Sequence, residues 1–146
     1  MTSKLEDFLT AREEQQIIAA IKSAEKNTSG EIRVHIEKST EKPPLERAKE
    51  VFWLLKMDQT KLQNGVLFYV AVDCKQFAIY GDRGIYHQTT PDFWNAEKEL
   101  VLNHFSKRQN VEGLVLAIEQ VGEKLQKLFP FTSDDTDELS NEISKG

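Results

Sequence analysis

Three side chains in turn-forming segments of this sequence have the chemistry to hold a hard cation. Glu31 and Asp82 carry carboxylates and Asn64 a carboxamide oxygen, and each sits beside a glycine, in Gly30-Glu31, Asn64-Gly65 and Gly81-Asp82. Ca²⁺ takes about six to eight oxygen ligands and Mg²⁺ about six, so these groups, helped by backbone carbonyls, suit either ion. The same residue types also build ordinary turns. In that reading Asp82 closes a turn, Glu31 pairs with Arg83, and the glycines supply positive φ. The elements around these residues must decide whether they meet.

Other chemistries are excluded by spacing. The one cysteine, Cys74, has Tyr80 six positions later where a cysteine phosphatase loop needs arginine, and it has no partner for a disulfide. His35, His87 and His104 do not cluster and lack the i, i+4 spacing of a zinc helix. Asp135-Thr136-Asp137 has the spacing of an aspartyl nucleophile pair, but no strand precedes it and no glycine follows to form a calcium loop. Gly81-Asp82-Arg83-Gly84 is neither a dinucleotide fingerprint nor a P-loop. Trp53, Phe93 and Trp94 fall at helical positions and are expected in the core.

The elements follow from periodicity. Thr10 and Glu13 have capping-box spacing, and Ile17, Ile18, Ile21 and Ala24 continue one apolar helical stripe. Ile32, Val34 and Ile36 alternate with Arg33, His35 and Glu37, which predicts a strand with its polar side turned outward. Pro44 opens a second helix with Leu45, Ala48, Phe52 and Leu55 on one face. Residues 65–72 are apolar on both faces, as a central strand requires, and residues 76–80 return as the second arm of a hairpin. Two further helices carry Phe93 to Phe105 and Val111 to Leu128, the last ending at Pro130.

These elements predict a three-layer α/β/α sandwich with a small mixed sheet, one parallel crossover plus a hairpin, and about four main helices. Strand direction then brings the candidate residues together. Glu31 and Asn64-Gly65 start parallel strands, and Gly81-Asp82 ends a strand antiparallel to the second, so all three reach one edge of the sheet. Loops meeting at a sheet edge are where α/β proteins place sites.

Four stretches in this order resemble the TPM domain family. They are Ala24-Glu25 running into Thr28-Ser29-Gly30-Glu31-Ile32-Arg33-Val34, then Asn64-Gly65-Val66-Leu67, then Gly81-Asp82-Arg83-Gly84-Ile85, and last Phe105 with Gly113-Leu114, Leu125 and Phe129-Pro130. The resemblance spans residues 10–130. It implies a similar three-layer fold, a secreted or membrane-anchored setting in many members, calcium binding in some, acid phosphatase activity in a plant member, and accessory roles in membrane-associated complexes in others. This chain departs from the family at two places. Gln63 stands where many members carry an acid, and Ile85-Tyr86 where many carry a glycine-rich turn ending in glutamate.

Composition sets the remaining bounds. The 146 residues suit one domain, expected over residues 1–130, followed by an acidic, disordered tail over residues 131–146. That tail carries most of the net charge of −5, leaving a nearly neutral body with no footprint for nucleic acid. Residues 1–7 are charged and open no leader, and no apolar run reaches the roughly 20 residues that cross a bilayer. A soluble, cytoplasmic chain is expected as given, or an extracytoplasmic one if a leader has been removed. The expected function is a non-catalytic or weakly catalytic TPM-like domain binding Ca²⁺ or Mg²⁺ through Glu31, Asn64 and Asp82. A metal-assisted phosphatase and a metal-free interaction module are the alternatives, and no catalytic residue is assigned.

Overall fold

The strand β2 (Gly65–Ala71) is buried at every position, so both its edges need strands and both its faces need helices. The computed structural model, which describes residues 8–73, 75–131 and 141–146, supplies all four. On one side lies β1 (Glu31–Glu37), parallel and in register Glu31 with Gly65. On the other lies β3 (Gln76–Gly81), antiparallel, with Val66 opposite Gly81. Cys74, in the hairpin turn, lies outside the described residues.

Five α-helices accompany the sheet among the described residues: α1 (Ala11–Glu25), α2 (Pro44–Leu54), α3 (Arg83–Tyr86), α4 (Pro91–Ser106) and α5 (Asn110–Leu128). The Thr10–Glu13 capping box is formed as expected, with Glu13 N–H donating to Thr10 Oγ1 at 3.1 Å. One face of the sheet packs Ile32, Val34, Ile36, Val66, Phe68 and Val70 against α1, α4 and α5. The opposite face packs Leu67, Tyr69, Ala71 and Ala78 against Ala48, Val51 and Phe52 of α2 and against Met57. The result is the expected α/β sandwich. Crossing of α1 and α5 is close enough that a Cβ on Gly122 would lie 2.7 Å from the Ala24 Cβ, so glycine is required there.

Three expectations are corrected. The stretch after the hairpin forms the one-turn helix α3, capped by Asp82, rather than a plain turn. Trp53 is 56% exposed, because the stripe of α2 that meets the sheet is Ala48, Val51 and Phe52, leaving the next position outside. The end of the acidic tail is not free. Ser144–Lys145 form β4, which pairs parallel to β1 opposite His35 and Ile36 and gives the sheet order β3-β2-β1-β4. Gly146 N–H donates to Ile36 C=O at 3.0 Å, Lys145 meets Glu14 at 2.5 Å, and Ile143 packs on the core. Residues 132–140 lie outside the described residues.

Removing residues 141–146 should therefore lower the thermal midpoint. Losing a ladder strand, an apolar contact and buried polar partners should cost about 1–3 kcal/mol, or roughly 3–10 °C in a domain of this size. A thermal melt followed by circular dichroism checks this. A change of only about a degree would mean that β4 contributes nothing to the fold.

Candidate functional site

The expected convergence at one sheet edge is carried by backbone bonds. Glu31 N–H donates to Asn64 C=O at 3.2 Å, and Asp82 N–H donates to Gly65 C=O at 3.0 Å. Glu31, Gly65 and Asp82 thus form one row across three strands, all turned to the α2 side by the two-residue period. The middle member has no side chain. Two carboxylate-bearing residues therefore stand on either side of it, roughly 10 Å apart at Cα from two strand spacings.

Each member of the set is buried: Glu31 is 2% exposed, Asn64 1% and Asp82 7%. Asn64 donates through Nδ2 to Ser29 Oγ at 3.3 Å, but its Oδ1 has no hydrogen-bond partner among the described residues. Asp82 Oδ1 accepts from Arg83 N–H at 2.7 Å and caps α3, while its buried Oδ2 likewise lacks a partner. Burial lifts the Asp82 carboxyl above its usual range. The Arg83 backbone bond opposes that rise and the charge of Asp58 adds to it. Each of these two buried oxygens is orphaned, and an orphaned buried acceptor costs roughly 1–3 kcal/mol.

Asp58 was not singled out from the sequence. It lies in the 3₁₀ turn Met57–Gln59 after α2, and only the folding of that turn over the sheet brings its charge to Asp82. No spacing rule would have joined the two. Gly84 fixes the other wall, since a Cβ there would overlap the Leu62 and Gln63 carbonyls. Gln63 C=O accepts from Gly84 N–H at 2.9 Å, tying the loop before Asn64 to α3.

His35 and Glu37 do not face solvent as alternation suggested. Both are 5% exposed, because Arg47 of α2 reaches over them. Arg47 donates to Glu37 through Nε at 2.8 Å and Nη2 at 3.0 Å, and the Tyr69 hydroxyl donates to the same carboxylate. Burial alone would raise the Glu37 pKa, but bonds from Arg47, Tyr69 and His35 overcome it and hold the group at about 2. His35 stands 3.1 Å from Glu37 through Nε2 and 2.9 Å from Ser144 Oγ through Nδ1. Since a carboxylate only accepts, Nε2 carries the proton and neutral Nδ1 accepts from the serine. Burial lowers the His35 pKa and favours that neutral form.

Ser144, His35 and Glu37 have the members of a hydrolase triad, yet the cluster is a latch for β4. Glu37 is saturated by its donors, and a Cβ on Gly146 would fall 3.0 Å from both His35 Nε2 and Glu37 Oε1. That close packing leaves no space for a substrate over the histidine–glutamate bond. His87 is exposed, and His104 Nδ1 donates to Leu100 C=O at 2.8 Å. Among the described residues, no three His, Cys, Asp or Glu side chains gather as a metal cluster.

Another buried carboxylate, Glu97 of α4, is 4% exposed, and burial pushes it up to about 7. With its Nε2 turned inward, the Gln120 amide reaches Glu97 Oε2 at 2.5 Å and Oε1 at 2.8 Å. Turned the other way, the amide oxygen accepts a hydrogen bond from the O–H of the neutral acid, so the pair is satisfied in both states.

A mixed four-stranded sheet between helical layers defines a small α/β sandwich domain. A family model described as the TPM domain matches residues 3–124, and the chain belongs to the TPM domain family. Among solved structures, the BA42 protein of the psychrophilic bacterium Bizionia argentinensis is 54% identical. It covers 99% of this chain and 100% of its own, with a TM-score of 0.90. The N-terminal domain of the cg2496 protein of Corynebacterium glutamicum is 15% identical, covering 88% of this chain and 78% of its own at a TM-score of 0.63. The N-terminal domain of a protein from P. gingivalis is 17% identical, covering 84% and 79% at a TM-score of 0.68. These last two share the fold. No curated protein matches the chain.

The Glu97 geometry has a pH signature. An unfolded glutamate titrates near 4.5 and folded Glu97 near 7, so the native state holds its proton more tightly. Stability is then complete below about pH 4.5 and declines as pH rises through 7. Glu97→Gln should leave stability at pH 4 nearly unchanged and raise it at pH 8 by about 1–3 kcal/mol. Urea melts at the two pH values check this. Equal effects at both would show that Glu97 ionises normally in the fold.

Proposed function

We propose that this TPM domain binds a divalent cation, Ca²⁺ in preference to Mg²⁺, at the Glu31–Asn64–Asp82 edge, and that it is non-catalytic or weakly catalytic. The observation that carries this reading is two buried oxygens without partners, Asn64 Oδ1 and Asp82 Oδ2, at chain segments that meet at one sheet edge, with the charge of Asp58 acting on Asp82. A cation would satisfy both oxygens and favour the ionised Asp82 that burial disfavours. Ca²⁺ tolerates irregular oxygen shells completed by water, whereas Mg²⁺ demands a near-octahedral one, and this edge offers oxygens of several kinds at uneven spacing. No helix of the described residues is long and apolar enough to cross a membrane.

Catalysis is disfavoured by what the chain lacks. A metal-assisted phosphatase needs carboxylates to hold its ion and activate water. Here Gln63 stands where the family resemblance implies an acid, and Ile85-Tyr86 where it implies a glycine-rich turn ending in glutamate. Two carboxylates, one amide and the more distant Asp58 make a modest cage, so affinity should lie roughly in the 10⁻⁴–10⁻³ M range of extracellular calcium modules.

Calcium titrated into ¹⁵N-labelled protein should shift the amides of residues 28–31, 58, 63–65 and 81–84 together. Asp82→Asn keeps the shape and removes one charge, and it should abolish most of that response. Proton competition at Asp82 should weaken binding as pH falls. Saturating Ca²⁺ and Mg²⁺ that leave these loops unmoved would return Glu31, Asn64 and Asp82 to ordinary turn roles.

A further inference from the structure

The strand β4 is fastened to the domain by few contacts. Ser144 Oγ donates to His35 Nδ1 at 2.9 Å, Gly146 N–H donates to Ile36 C=O at 3.0 Å, Lys145 pairs with Glu14, and Ile143 packs on the core. Its ladder with β1 is two residues long, and the lysine and glutamate are partly exposed, which makes for a weak ion pair. Between pH 5 and 8 the serine bond stands apart, because its acceptor is a histidine, the side chain that ordinarily titrates there.

His35 is enclosed by every element around it and is 5% exposed. Tyr69 of β2 stacks on the ring at 6.0 Å, and Glu37 of β1 meets Nε2 at 3.1 Å. Arg47 of α2 and Arg33 of β1 add positive charge beside it. Gly146 of β4 lies against the ring edge, where a Cβ would fall 3.0 Å from Nε2 and 3.1 Å from Cε1. The Glu37 carboxylate is already held by Arg47 and Tyr69. A second proton must enter at Nδ1, the atom that accepts from Ser144. The hydroxyl would then have to turn its hydrogen away, and the imidazolium would face two guanidinium charges out of reach of water.

We propose that β4 is an acid-released strap: uptake of a second proton by His35 lifts residues 141–146 from the edge of β1 while the rest of the domain stays folded. Lifting the strap lets water reach the imidazolium and uncovers the Ile36 carbonyl and the His35–Glu37 pair. The rest holds because the apolar clusters on both faces of the sheet are built without β4, apart from the contact of Ile143. With the strap down, burial and the two arginines outweigh Glu37 and keep the His35 pKa below its ordinary value near 6.5. With it lifted, the solvated ring titrates closer to that value. Acid therefore favours the lifted state, and Glu37, held at about 2, stays ionised throughout.

The test follows the ¹⁵N-labelled full chain from pH 7.5 to pH 5. The protection factor of the Gly146 amide should fall by up to about tenfold per pH unit below about 6.5. The amides of residues 142–145 should shift with the His35 imidazole nitrogens at one midpoint below 6.5, while Phe68 and Val70 in β2 stay protected. His35→Gln cannot take the proton and should hold Gly146 protection constant across this range. Glu14→Gln removes the ion pair with Lys145 and should leave the pH dependence in place. Constant Gly146 protection down to pH 5 in the unaltered chain, a pH response that survives His35→Gln, or loss of Phe68 and Val70 protection in step with Gly146 would overturn the proposal. Should His35→Gln fail to fold, the midpoints decide: His35 titrating at 6.5 or above, or separately from residues 142–145, overturns it as well.

Discussion

The double-sided burial of β2 is the constraint from which the rest of the structure follows. Seven consecutive residues, Gly65 to Ala71, have no contact with solvent on either face. Such a strand cannot stand at the margin of a sheet or on the surface of a two-layer domain. It needs β1 and β3 at its sides, α2 over Tyr69 and Ala71, and α1, α4 and α5 over Phe68 and Val70. The parallel crossover and the hairpin then leave no freedom over where Glu31, Asn64 and Asp82 end. The candidate site is a by-product of how a buried strand is enclosed.

Much of this was legible because it rests on local periodicity. The Thr10 capping box, the alternation of Ile32, Val34 and Ile36, and the apolar run of β2 each state an element directly. From strand direction alone, the meeting of the three loops followed. What was illegible depends on contacts between distant segments. His35 and Glu37 look solvent-facing by alternation, and only Arg47, arriving on α2, buries them. Asp58 reaches Asp82 through the fold of a three-residue turn. β4 is two residues long, with one apolar neighbour in Ile143, too short to give any period. Trp53 was misplaced because hydrophobic type was read as core when its position on α2 faces away from the sheet.

Two groups of buried acids show opposite solutions to one physical problem. Glu37 is surrounded by donors, so its charge is stabilised inside the protein, and it serves to hold β4 and α2 in place. Burial and the charge of Asp58 outweigh the backbone donor and the charge that Arg83 supplies, so the Asp82 carboxyl stays raised. Glu37 is satisfied by the chain itself, whereas Asp82 keeps a buried oxygen without a partner, and that contrast is the physical reason for assigning Asp82 an external partner. Membership of the TPM domain family and the 54% identity to BA42 establish the fold, and the site argument rests on the oxygens themselves.

A double-mutant cycle on the calcium-induced rise in thermal midpoint tests this claim most directly, using Glu31→Gln, Asp82→Asn and the two combined. Ligand binding to the native state raises its midpoint in proportion to occupancy. If the two carboxylates share one ion, each single substitution should remove most of the calcium-induced rise. The combined variant should then lose scarcely more, giving strong non-additivity between the two carboxylates. Independent, additive losses, or a calcium response that survives both substitutions, would contradict a shared site at this edge.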